Sequence, residues 1–88
     1  MKTIEKDPNA TLDYSVDWSQ WLGDDKITSS TWIIPTGIKK TIDSHDDVSA
    51  TVWLSGGRMG EEHVITNRIV TQAGRKDDRS FVLSIVRR

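Results

Sequence analysis

Three carboxylates and an imidazole fall within five residues at Asp43-Ser44-His45-Asp46-Asp47, the most polar run in the chain. Oxygen-rich spacing of this kind suits a hard cation such as Ca2+, but a calcium loop also needs a glycine for its sharp turn and a bidentate glutamate at its end. The run has neither, so a solvated turn between strands is expected there, with no metal and no other cofactor. Asp24-Asp25 and Asp46-Asp47 are adjacent pairs. Neighbours on an extended chain point to opposite sides, which is poor geometry for sharing a proton. Catalysis would need titratable groups that converge, and His45 in a turn and His63 in a core-facing strand phase do not suggest it. No HExxH, nucleophile-elbow or CxxC pattern occurs, and the absence of cysteine removes thiolate chemistry and Cys-ligated metals. No enzyme activity is expected. Gly56-Gly57 beside Arg58 invites an anion-cradle reading, yet it has neither phosphate-loop spacing nor a following helix.

The four tryptophans carry the remaining chemistry. Trp18 and Trp21 are three residues apart, as on one helical turn, which puts both indoles on the same side. They read as a hydrophobic plug closing one end of the fold or as a ligand-stacking pair, with Asp17 able to cap the turn. Trp53 alternates against aliphatic neighbours and is expected to face outward. There, with a polar neighbour such as Arg68, it could stack on a sugar ring. Trp32 sits in a β-rich run and is expected in the core.

These side chains must be positioned by strands. Leu12, Tyr14 and Val16 alternate with Asp13, Ser15 and Asp17; Val48, Ala50, Val52 and Leu54 alternate with Ser49, Thr51 and Trp53. Residues 26–34 form a third run in which Ile27 is out of phase with Trp32 and Ile34, as a bulge or kink would require. Pro35 ends it, and Ile38–Ile42 reads as a short strand whose Lys39 suits a sheet edge. Residues 63–71 and 79–86 form a long hairpin around a polar turn at 72–78. Ile65, Ile69, Phe81, Leu83 and Ile85 are its core phase, and Asn67 points inward with them, expected to bond backbone across the fold. Residues 1–6 are a short first strand or a loose lead-in.

About seven short strands with turn signals between them predict an all-β fold, an antiparallel β-sandwich of the immunoglobulin or fibronectin-III kind, with a small open barrel as the alternative. Eighty-eight residues make a single domain, 1–88, and one that can bury only about 60–65% of its unfolded surface. Without disulfides the core must come from packing. Net charge is −1, which implies no general attraction to nucleic acid or anionic membrane. Residues 1–47 hold nine acids and five bases, whereas residues 48–88 hold four acids and seven bases, an asymmetry that could orient a partner or a second copy. No apolar run approaches the length of a membrane span, and the first residues lack the hydrophobic stretch of a signal peptide, so a soluble protein made in the cytoplasm is expected.

With the strands placed, the chain resembles a family of short bacteriophage and prophage structural proteins with a single immunoglobulin-like domain. The carrying stretches are residues 6–14 with Asp17-Trp18-Ser19-Gln20-Trp21-Leu22, then Ser29-Ser30-Thr31-Trp32, Ala50-Thr51-Val52-Trp53-Leu54-Ser55-Gly56-Gly57, and Thr66-Asn67-Arg68-Ile69 ahead of Gly74-Arg75 and Asp78-Arg79-Ser80. The family commonly has tyrosine where this chain has His63, and more threonine than residues 38–42 show. The resemblance implies a virion structural or assembly protein made in the host bacterial cytoplasm. It would be a protein-interaction module for capsid, neck or tail subunits, or for itself, with no catalytic residues to carry over. Trp53, Arg68, Arg75, Lys76 and Asp77 are the expected interaction surface. A carbohydrate-binding sandwich using an exposed Trp53 is the alternative.

Overall fold

A computed structural model describes residues 1–87. Seven strands and one short helix follow in the order β1 (Lys2–Lys6), β2 (Leu12–Asp17), α1 (Ser19–Leu22), β3 (Ile27–Ile33), β4 (Ile38–His45), β5 (Ser49–Gly56), β6 (Glu62–Thr71) and β7 (Lys76–Ile85). They form a four-stranded sheet, β1-β7-β6-β3, and a three-stranded sheet, β2-β5-β4. This is the expected sandwich, with one departure: β1 is a regular strand and runs parallel to β7, Lys2 opposite Phe81 through Lys6 opposite Ile85. All other pairs are antiparallel.

Alternation of side chains builds the core from both sheets. Ala50, Val52 and Leu54 of β5 and Tyr14 of β2 meet Ile65, Phe81, Leu83, Ile85 and Trp32. A second cluster of Trp18, Leu22, Ile27 and Ile69 fills one end, with Trp21 packed against it. The tryptophan plug is therefore present, and the two indoles meet edge to face at 5.3 Å. Ile27 reaches that cluster because the β3–β6 register shifts between Ile27 and Ser29.

Strand boundaries differ from expectation, most at β7, β4 and the start of β5. The hairpin turn is shorter, because Gly74 takes a left-handed φ of 87° and the ladder resumes at Lys76; Asp77 and Asp78 are strand residues opposite Ile69 and Arg68. β4 runs on through His45, so Asp43, Ser44 and His45 lie in a strand and only Asp46–Val48 turn. Val48 falls outside β5 and is 38% exposed, while its carbonyl accepts the Trp18 amide at 2.8 Å. A register shift between Lys40 and Ile42 turns Ile42 out to 62% exposure.

Gly57, half of the supposed anion cradle, has a packing role. Its φ is 99°, and a Cβ there would lie 2.7 Å from Ile85 Cδ1. Gly57→Ala is expected to destabilise the domain by at least about 1–2 kcal/mol, the left-handed cost for an L-residue, before any clash is relieved. Urea denaturation reads this directly, and an unchanged midpoint would refute it.

Candidate functional site

The short helix and the β6–β7 turn meet at one end of the sandwich, and Arg75 joins them. Its Nε donates to Asp25 Oδ2 at 3.0 Å, its Nη2 to the Leu22 carbonyl at 2.9 Å and its Nη1 to the Trp21 carbonyl at 3.4 Å. The guanidinium lies 4.2 Å from the Trp21 ring centre. Arg79 repeats the arrangement one step along, 4.4 Å over Trp18 with Nη1 donating to the Asp17 carbonyl at 2.8 Å. Helix C-termini leave carbonyls unpaired, and cations over indole faces are attracted by the ring quadrupole. Both arginines therefore hold the Trp18–Trp21 plug in place. Arg75 does this while its side chain stays 42% exposed. Asp17 lies one residue before the N-cap position, which Trp18 occupies, yet its Oδ1 still accepts the Ser19 amide at 2.9 Å.

Asp25 is the acid end of the same staple. The Thr71 hydroxyl foremost, then the Lys26 and Ala73 amides and Arg75, outweigh burial and hold its carboxyl at about 2 instead of 3.8. A depressed folded-state value means stability that is present above 3.8 and lost as pH falls towards 2. Asp25→Asn is expected to flatten that part of the acid-unfolding curve. A carbon-detected titration placing Asp25 at its ordinary value would overturn this account.

Arg68, Lys76 and Asp78, on the outer face of the four-stranded sheet, and Asp77, in the inward phase opposite Ile69, line a shallow hollow beside the turn. Arg68 grips Asp78 with two bonds, Nε to Oδ1 at 2.8 Å and Nη2 to Oδ2 at 3.0 Å. Each pushes the other's protonation equilibrium toward the charged form, Arg68 up and Asp78 down, with the hydrogen bond as the larger cause. The sequence placed Arg68 with Asp77 in one surface and Asp78 only in the polar turn; the antiparallel register pairs Arg68 with Asp78.

Trp53 stands on the opposite side of the molecule. It is 40% exposed on the outer face of β5, between Asp13 of β2 and Ile42 of β4. Arg68 belongs to the other sheet, so the two cannot flank one sugar ring. The expected surface is thus divided: Trp53 on one outer face, Arg68 with Lys76 on the other, Asp77 in the inward phase opposite Ile69, and Arg75 at the end.

The polar run holds no converging ligands. Asp46 Oδ1 accepts the Val48 and Ser49 amides and the Ser49 hydroxyl, closing the turn, and the Val48 amide foremost holds its carboxyl below the usual range. Lys40 pairs with Asp43 at 3.2 Å. Among the described residues, no group of three His, Cys, Asp or Glu side chains is placed to hold a metal ion. His63 is partly covered and its Nε2 bonds Glu61 Oε1 at 3.1 Å, next to Gly37.

Among the described residues three polar side chains are buried, Lys6, Asn67 and Thr71. Asn67 was expected to bond backbone, but Trp18 Nε1 donates to its Oδ1 at 2.9 Å and its Nδ2 donates to Ser30 Oγ at 2.9 Å, with only a longer 3.4 Å bond to the Thr31 carbonyl. Lys6 is fully buried, its ammonium donating to the Gly56 carbonyl at 2.7 Å and the Asp7 carbonyl at 2.9 Å. Desolvation lowers its pKa, with Asp7 opposing. Nothing in its local sequence signals this, because the burial depends on the parallel pairing of β1 with β7.

Among solved structures, the chain is similar to a protein described as "Solution structure of the PKD domain from KIAA 1837 protein". The TM-score is 0.64 at 20% identity, over 99% of this chain and 82% of that one. At that identity the likeness speaks for the fold, an immunoglobulin-like sandwich. No curated protein matches significantly. Residues 6–84 match a family model described as podophage GP4 fiber-tail adaptor protein gp77. That span holds both core clusters up to Leu83 and both outer faces, and the chain belongs to this family of phage structural proteins.

Proposed function

We propose that this domain is a non-enzymatic adaptor that joins a tail fibre to the tail of a short-tailed phage, made in the host cytoplasm and built into the virion. The family match over residues 6–84 carries the reading. It narrows the expected partners from capsid, neck or tail proteins to those of the tail and fibre. The geometry agrees with it. Asp25, Arg75 and Arg79 brace the fold, Asp46 and Glu61 close turns, and Arg68 and Asp78 satisfy one another. What remains for a partner are broad sheet faces and edges, including Trp53 with Ile42 on one face and the hollow with Lys76 beside the Arg68–Asp78 pair on the other. Surfaces of this kind suit a repeated particle, where many weak contacts act together through effective concentration.

Purifying intact phage from the source lysogen, with mass spectrometry of the particle, tests the first half. The chain is expected in the particle, and gold-labelled antibody is expected at the base of the fibres. Particles of a phage deleted for the gene should keep heads and tails and lack fibres. Absence of the chain from purified particles, or normal fibres in the deletion, would overturn the proposal.

A further inference from the structure

The sandwich has four edge strands, β1 and β3 on one sheet and β2 and β4 on the other. An edge presents unpaired backbone groups to any other strand, and proteins blunt it with charge, bulges or shortness. Three of the four are blunted. β1 has five residues and carries Lys2 and Glu5; β2 carries exposed Asp13 and Asp17; β4 carries Lys39 and Lys40 and a register break. β3 differs. Its seven residues, Ile27-Thr28-Ser29-Ser30-Thr31-Trp32-Ile33, include no charge and no proline, and its bulge at the start leaves Ser29–Ile33 in unbroken register with β6. Thr28, Ser29, Thr31 and Ile33 are exposed.

We propose that β3 is a pairing edge whose occupant is β3 of a second copy of this chain. Antiparallel pairing about a two-fold axis would join two four-stranded sheets into one of eight strands and leave no open β3 behind, a closed isologous contact. Charge selects β3 for this. β4 carries Lys39, Lys40 and Asp43 and β2 carries Asp13 and Asp17, charges that a new strand would have to match, whereas two β3 edges bring no charges together in any register. The side chains also suit each other, since cross-strand hydroxyl pairs already join strands in this fold at Ser15–Thr51 and Thr66–Ser80, each at 2.8 Å. A contact of one strand pair is small, so the dimer is expected to be weak in solution and to form fully where a particle holds copies close together. The inference rests on the edge chemistry and not on the adaptor reading.

Sedimentation velocity on the full chain, from micromolar to millimolar, is expected to show a reversible monomer–dimer equilibrium. Amide shifts or exchange protection that grow with concentration should centre on residues 28–33. Thr31→Lys should abolish the dimer with the melting temperature retained, while Thr3→Lys on the far edge of the same sheet should leave it intact. A chain that stays monomeric at millimolar concentration overturns the proposal. So does a dimer that survives Thr31→Lys, or one whose concentration-dependent shifts fall on β1, β2 or β4. Should Thr31→Lys fail to fold, the wild-type shift map alone decides. Loss of fibres from the deleted phage together with a monomeric chain would refute the pairing and leave the adaptor role standing.

Discussion

Trp18→Ala is expected to cost about 3–5 kcal/mol, the range for emptying a buried tryptophan site. A domain of this kind has only about 5–15 kcal/mol in total, so the variant should be largely or wholly unfolded at moderate denaturant concentrations. Trp18 is fully buried, contacts Trp21 edge to face and lies beneath Arg79. It is also a hydrogen-bond donor to Asn67, which makes the site more than a volume to be filled. Trp18→Phe keeps much of the packing but removes that donor, and Asn67 Oδ1 is left buried, at about 1–3 kcal/mol. Asn67→Leu leaves Trp18 Nε1 unpaired and strips the Ser30 hydroxyl of its donor. The double variant Trp18→Phe/Asn67→Leu should lose less than the two single changes summed, because each removes the partner the other leaves stranded. Additive losses in urea denaturation would show that the bond is not a structural unit.

Trp32→Ala is expected to lose a similar 3–5 kcal/mol or so. Trp32 is 6% exposed and packs edge to face against Phe81 at 6.5 Å and 72°. Its indole nitrogen, however, is buried without a hydrogen-bond partner among the described residues. Phenylalanine at this position therefore removes a polar group that the core does not satisfy, and strands no acceptor. Trp32→Phe should cost clearly less than Trp18→Phe, although the same atoms are deleted. Equal losses, or a denaturation midpoint for Trp32→Ala equal to that of the native chain, would refute the assignment. The contrast isolates the hydrogen bond from the packing, and it explains why two buried tryptophans in one small domain need not be equally replaceable.

Much of this architecture is written locally. Alternation at Val52-Trp53-Leu54 and at Ile65-Thr66-Asn67 placed each residue on its face, because side-chain direction in a strand depends only on parity. The displaced phase of Ile27 announced a bulge, and the spacing of Trp18 and Trp21 announced the single helical turn. The polar turns were recognisable but came out too long. A run such as Lys76-Asp77-Asp78 looks like loop until Arg68 is found opposite Asp78, and that partner is ten residues away.

The limits at the candidate site have the same origin. Trp53 and Arg68 both point outward from their strands, which the alternation shows, but whether they share a face depends on which sheet each strand joins. Arg75 is an exposed turn residue, as its setting suggested, and is also the link between Asp25, Trp21 and Leu22. Lys6 looked like part of a loose end and is buried beneath Gly56 through a parallel pairing with β7. By itself, then, the order of residues determined the strands, their inner faces, the tryptophan plug and the sandwich class, since these follow from periodicity and turn chemistry within a few residues. Only the tertiary structure decided which charges meet, which polar groups are buried and which edge is left open, because those depend on register and sheet order between segments up to 80 or so residues apart.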